Sequence, residues 1–87
     1  MGLNRPAVEV RILFKCQQKP MSRTDIATAF HRFSINERDI ALNNLIDDGL
    51  IELREMPKPK AKKTPVFYFI SKTGKEWLKA YEASYPS

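Results

Sequence analysis

Lys58, Lys60, Lys62 and Lys63 fall within six residues, spaced by Pro59 and Ala61 and bracketed by Pro57 and Pro65. No acid lies between positions 57 and 64, so this segment alone carries +4 of the chain's net +5. Ammonium groups on a proline-stiffened stretch that cannot collapse on itself suit contact with phosphates, each neutralised phosphate releasing counterions. The plainer use is a solvated loop tip, but the missing balancing acid favours phosphate contact. A second constellation is Asn36, Arg38 and Asn43. Asparagine can make paired bonds to adenine and arginine to guanine. Glu37 and Asp39 lie among them and would each oppose a phosphate; Glu37 has the alternative use of a helix cap. Arg23 and Thr24 precede an apolar helical stretch, where the positive end of the helix would help them hold a phosphate.

Other chemistries find little support. Cys16 is the single cysteine and His31 the single histidine, so no internal disulfide or cysteine-rich metal cluster can form. Cys16 sits in an apolar stretch, where a lone thiol acts as a small hydrophobe. There is no glycine-rich phosphate loop, no paired metal ligands and no activated nucleophile. We therefore expect no enzyme, no cofactor and no metal. No apolar run approaches the roughly 20 residues that span a bilayer. Residues 1–11 lack the basic-then-apolar layout of a secretion signal. A cytoplasmic protein without a membrane partner is the expectation.

The elements that position these residues follow from spacing and caps. With 87 residues the chain has room for one domain, 1–87. Pro6 suits a first helical turn, and Val8, Ile12, Leu13 and Cys16 recur at helical spacing until Lys19-Pro20, giving a helix over about 6–18. Ser22 and Asp25 form a short capping box for a helix over about 22–31. Ser34 and Glu37 form a full one for a helix over about 35–48, with Ile35, Leu42, Leu45 and Ile46 along its apolar side, Ile40 and Ala41 flanking it, and Gly49 at its end. The period then changes: strands are expected over about 50–56 and 66–71, joined by the basic loop. Phe67 and Phe69 share one strand face and Tyr68 the other, and packing under the hairpin is expected of them rather than base stacking. Ser71 or Thr73 caps a last helix over about 73–83. Trp77 and Tyr81, one turn apart, are half core and half candidate dimer patch.

Helix, helix, helix, strand, basic loop, strand, helix is the order of winged-helix regulators. Leu42-x-x-Leu45-x-x-x-Gly49-Leu50-Ile51 resembles the end of the recognition helix and the start of the wing in the MarR and PadR-like families. Phe69-Ile70-Ser71-Lys72-Thr73-Gly74-Lys75 resembles the same families' exit from the second wing strand, and Met21 to Ala27 the opening of their second helix. The likeness covers about residues 6–83. It departs in two respects: those families add long dimer-building helices, and Arg38 stands where an apolar core residue is common.

The resemblance implies an α+β fold: a three-helix helix-turn-helix core, a two-stranded β-hairpin wing and a closing helix. It implies a small regulator, homodimeric, binding double-stranded DNA with Asn36, Arg38 and Asn43 in the major groove. Arg23 and Thr24 would meet the backbone. Lys58, Lys60, Lys62 and Lys63 would lie on the backbone or minor groove. The effector is unknown. The competing reading is a protein-docking winged helix that uses Asp39, Asp47, Asp48, Glu52 and Glu55 as an acidic face.

Overall fold

The computed structural model describes residues 4–56 and 64–84. Helix α1 spans Ala7–Gln18, strand β1 Met21–Ser22, helix α2 Arg23–Ala29 and helix α3 Ile35–Asp47. Strands β2 and β3 span Ile51–Glu55 and Val66–Ile70, and helix α4 spans Lys72–Ser84.

Local chemistry sets these boundaries. Pro6 stands at the N-cap of α1, and its carbonyl accepts from the amides of Glu9 at 3.0 Å and Val10 at 3.3 Å. Lys19 is extended, at φ −164° and ψ 155°, as a residue before proline is driven to be. The Ser22 hydroxyl accepts from the Asp25 amide at 3.0 Å, and the Asp25 carboxylate accepts from the Ser22 amide at 3.1 Å. That is a closed capping box at the head of α2. Half of the expected box forms at α3. The Glu37 amide donates to the Ser34 hydroxyl at 3.1 Å, but the Glu37 carboxylate takes its bond from that hydroxyl at 3.3 Å instead of from the backbone.

The end of α3 is a Schellman turn. Gly49 adopts φ 76°, its amide donating to the Ile46 carbonyl and the Leu50 amide to the Leu45 carbonyl. Only a residue without Cβ takes this backbone conformation cheaply.

One element was not expected from sequence. β1, only two residues long, pairs with the far edge of β3, Met21 opposite Tyr68 and Ser22 opposite Phe67. Among the described residues the antiparallel sheet therefore has three strands in the order β1-β3-β2 rather than two. Local propensity cannot announce so short a strand, because its stability comes from a partner more than 40 residues away. On the other side β3 pairs with β2 from Ile51–Ile70 to Glu55–Val66.

Ser71 joins the sheet to α4. Its hydroxyl donates to the Gly49 carbonyl at 2.6 Å and accepts from the Gly74 amide at 2.9 Å, while its amide donates to the Leu50 carbonyl at 3.0 Å. Gly74 is required for closeness: a Cβ there would run into the Leu50 carbonyl oxygen and lie 2.8 Å from the Ile70 side chain. The core then closes between the helices and one sheet face. Ile12, Leu13, Leu45, Leu50 and Leu78 are fully inaccessible, with Met21, Ile26, Tyr68 and Trp77 around them.

Several apolar side chains depart from the expected burial. Ile35, assigned to the core side of α3, is 57% exposed, because it is the first residue of the helix and projects past the layer formed by Ala41, Leu42 and Leu45. Of the aromatic run only Tyr68 is buried; Phe67 and Phe69 stand half-exposed on the outer sheet face. Trp77 is a core residue, 5% exposed.

Candidate nucleic-acid interface

The geometry of α3 decides which of its residues can meet a partner. At about 100° per residue, Ala41, Leu42 and Leu45 point inward. Asn36, Ile40, Asn43 and Asp47 fall within about 60° of one another on the opposite side. Asn36, Ile40, Asn43 and Asp47 are all exposed. The structure thus brings Asn36 and Asn43 onto one outward stripe. It adds Ile40, 60% exposed and absent from the core, which its isoleucine chemistry had suggested was a flank of the buried face.

Arg38 lies elsewhere. It is half-buried on the inner side of α3, where Nη1 donates to the carbonyls of Phe33 at 2.7 Å and Phe30 at 3.4 Å. This guanidinium closes the end of α2, where Phe30 leaves helical geometry at φ −120° and ψ 38°. It accounts for an arginine at a position of core type: the apolar stem packs inward while the head satisfies the carbonyls of the turn. Helix α2 accordingly stops at Ala29, short of the expected His31.

Arg23 and Thr24 are exposed at the start of α2. Arg23 reaches across to α3 and places Nη2 at 3.3 Å from both Asp39 carboxylate oxygens. In an exposed pair this contact contributes little stability, and the side chain can be exchanged to another anion at small cost. Pairing also offsets the negative charge that Asp39 brings to the α3 surface.

A buried polar cluster at the other end of α3 had no forewarning beyond one acid among apolar neighbours in α1. Glu9, 3% exposed, accepts from Arg5 Nη1 at 2.7 Å and from Asn44 Nδ2 at 3.3 Å. Arg5 also pairs with Asp48 and lies over the Trp77 ring, 5.7 Å from its centroid. Burial lowers the Arg5 pKa, but the carboxylates of Asp48 and Glu9 outweigh it and the net direction is upward. Asn44 is thereby committed to α1.

Cys16 is buried, and burial pushes its thiol up to about 12, which keeps it protonated and inert. His31 is exposed, with Nδ1 at 3.3 Å from the Thr28 carbonyl oxygen. Among the described residues, no group of three or more His, Cys, Asp or Glu side chains could hold a metal ion. Nor is any described helix long and apolar enough to cross a membrane.

On the outer sheet face, Arg54 bonds Glu52 at 2.7 Å and covers the Phe69 ring at 5.2 Å from its centroid. Lys58, Lys60, Lys62 and Lys63 lie outside the described residues. Tyr81 is half-buried and stacks on Trp77 at 5.3 Å, with Phe14 edge-on at 6.4 Å, so much of the ring surface expected of a dimer patch is used within the chain. An open groove of about 380 Å³ runs between α1 and the α2–α3 turn, lined by Phe14, Phe30 and Phe33 with Arg11, Lys15 and Arg32.

No family model matches the chain, and no curated protein matches it. Solved structures do. A PadR-like transcription factor from Bacteroides fragilis superposes with a TM-score of 0.74 at 18% identity, covering 90% of this chain and 79% of that one. A PadR family transcription regulator from Clostridium difficile gives 0.76 at 15% identity, covering 92% and 88%. ZitR from Lactococcus lactis gives 0.75 at 14% identity, covering 95% of this chain and 54% of that one. The fold is the winged helix. In its terms α2 and α3 are the helix-turn-helix, and β2 and β3 are the wing. Arg38 holds the turn between the two helices. β1 fastens the wing to the head of α2, because Ser22 both pairs with Phe67 and caps that helix.

Proposed function

We propose that the chain is a single winged-helix domain that binds double-stranded DNA as a small, non-enzymatic transcriptional regulator. The observation that carries this reading is the stripe on α3: Asn36 and Asn43, exposed together and opposite the core, on the helix that such a fold presents to the major groove. The wing's Lys58, Lys60, Lys62 and Lys63 meet the backbone or minor groove, and Arg23 and Thr24 meet a phosphate at the head of α2. Arg38 enters this reading through the turn that it fixes, as a positioning residue. A homodimer in the cytoplasm on a near-symmetric site completes the proposal, since one such module offers little surface for specific binding. The solved structures of similar fold support it by their description as transcription regulators.

The test is fluorescence anisotropy of purified protein with random-sequence duplex over a salt series. Micromolar binding that falls steeply with salt is expected. Absence of binding at low salt would refute it and turn attention to a protein partner. That alternative needs a free acidic face. Of its five carboxylates, Asp48 is tied to the largely buried Arg5 side chain, and exposed pairs with Arg23 and Arg54 offset the charge of Asp39 and Glu52, which disfavours it.

A further inference from the structure

An isoleucine 60% exposed in the middle of a helix needs a reason or is an accident, since single exposed apolar residues are ordinary. Its neighbours decide the matter for Ile40. One turn before it on the stripe is Asn36 and one turn after it is Asn43, both exposed. The three sit opposite the buried Ala41, Leu42 and Leu45, so the stripe is the part of α3 that stands farthest from the core. Among the described residues, Ile40 belongs to neither the buried core nor the side chains packed against it. Asn44 is held by Glu9 and Arg38 by the Phe30 and Phe33 carbonyls, and the Asp39 carboxylate would oppose the phosphates, which leaves this stripe as the available reading surface.

We infer that Ile40 is a specificity-determining residue that reads the C5 methyl of a thymine in the major groove, between two adenine-reading asparagines. This rests on the DNA-binding reading above and deepens it. The major-groove edge of thymine is the one base edge that offers a methyl group, and an aliphatic side chain is its natural partner. Asparagine pairs in two bonds with adenine N6 and N7. Asn36 and Asn43 are seven residues apart, a rise of about 10 Å along the helix. The stripe therefore specifies a short run of A·T pairs. Asp47, one turn beyond Asn43, makes the far end acidic and confines close approach to the part of α3 that precedes it.

The experiment begins with selection from a randomised duplex pool by the full chain and by Ile40→Ala. Each thymine of the enriched duplex is then exchanged singly for deoxyuridine, which pairs identically and lacks only the methyl. At one thymine the exchange is expected to weaken the full chain's binding about threefold to fivefold, the effect of one buried methyl. The same exchange should leave Ile40→Ala unmoved, the coupling expected of two groups in contact. If no exchange affects the full chain, or if every exchange shifts both proteins alike, the inference is overturned while DNA binding stands. If neither protein enriches any duplex, the regulator reading itself falls and this one with it. Unchanged thermal melting of Ile40→Ala is expected from the side chain's exposure, and the exchanges on the full chain alone already decide against the inference if all are silent.

Discussion

Replacing Ser71 by Ala removes a single oxygen and breaks two hydrogen bonds at the junction of three elements. The hydroxyl caps α4 through the buried Gly74 amide at 2.9 Å and ties the start of the wing through the Gly49 carbonyl at 2.6 Å. Loss of an N-cap side chain costs about 1 kcal/mol. The lost bond to Gly49 adds about 1 kcal/mol more, limited because Gly49 is exposed and water can reach its carbonyl. The expected total is about 2 kcal/mol, a large fraction of the stability of a domain this size. It corresponds to a fall in Tm of roughly 8–16 °C. Urea denaturation followed by circular dichroism measures it, with the midpoint lowered and the slope unchanged. Ser71→Gly should recover part of the cap, since glycine is tolerated at that position, but not the tie to Gly49. A loss below about 0.5 kcal/mol for Ser71→Ala would refute the account of Ser71 as the joint between wing and closing helix, because that is the level of an ordinary surface change.

Changing Lys58, Lys60, Lys62 and Lys63 together to Ala should weaken binding to every duplex and reduce the salt slope by about 3 to 4, and an unchanged affinity would remove the wing from the interface. Arg38→Ala should lower stability by about 1–2 kcal/mol in thermal melts, through the lost bonds to Phe30 and Phe33, and weaken binding uniformly across sequences. A loss confined to one base position would instead place that guanidinium on a base. Cys16 should resist iodoacetamide at pH 8 in the native protein and react on unfolding; prompt native-state alkylation would contradict its burial. Because the fold favours the protonated thiol, stability should decline as pH rises from about 9, where the unfolded thiol ionises, toward about 12. An alkaline urea series, compared with Cys16→Ala, reads that decline.

The sequence announces features whose cause is local. Pro6, the Ser22–Asp25 box, Ser34 and Gly49 all act within a turn of themselves, and each stands where its residue type suggests. Features made by distant partners were not legible. β1 exists because Tyr68 and Phe67 offer it an edge, and Met21-Ser22 carries no signal of that. Periodicity placed Ile35 and Ile40 near the core side of α3, but one is at the helix start and the other points away. An Arg at a position of core type stands in the sequence as a departure from the family pattern; in the fold it is a tether for two carbonyls of the turn. For the candidate site, Asn36 and Asn43 were legible from residue type. Ile40 was not, because an aliphatic residue in an amphipathic helix is assigned inward unless neighbouring contacts say otherwise.

The placement of β3 in the middle of the sheet bears on how two copies could meet. β1 occupies one of its sides and β2 the other, so among the described residues the open hydrogen-bonding rim of the sheet is the outer side of β2 and the two-residue β1. Along β2 the side chains of Glu52, Arg54 and Glu55 are charged and exposed. A rim this short and this charged resists strand addition, which guards a small basic protein against edge-to-edge aggregation. It also directs the search for the proposed dimer contact away from sheet extension and toward the helical surfaces.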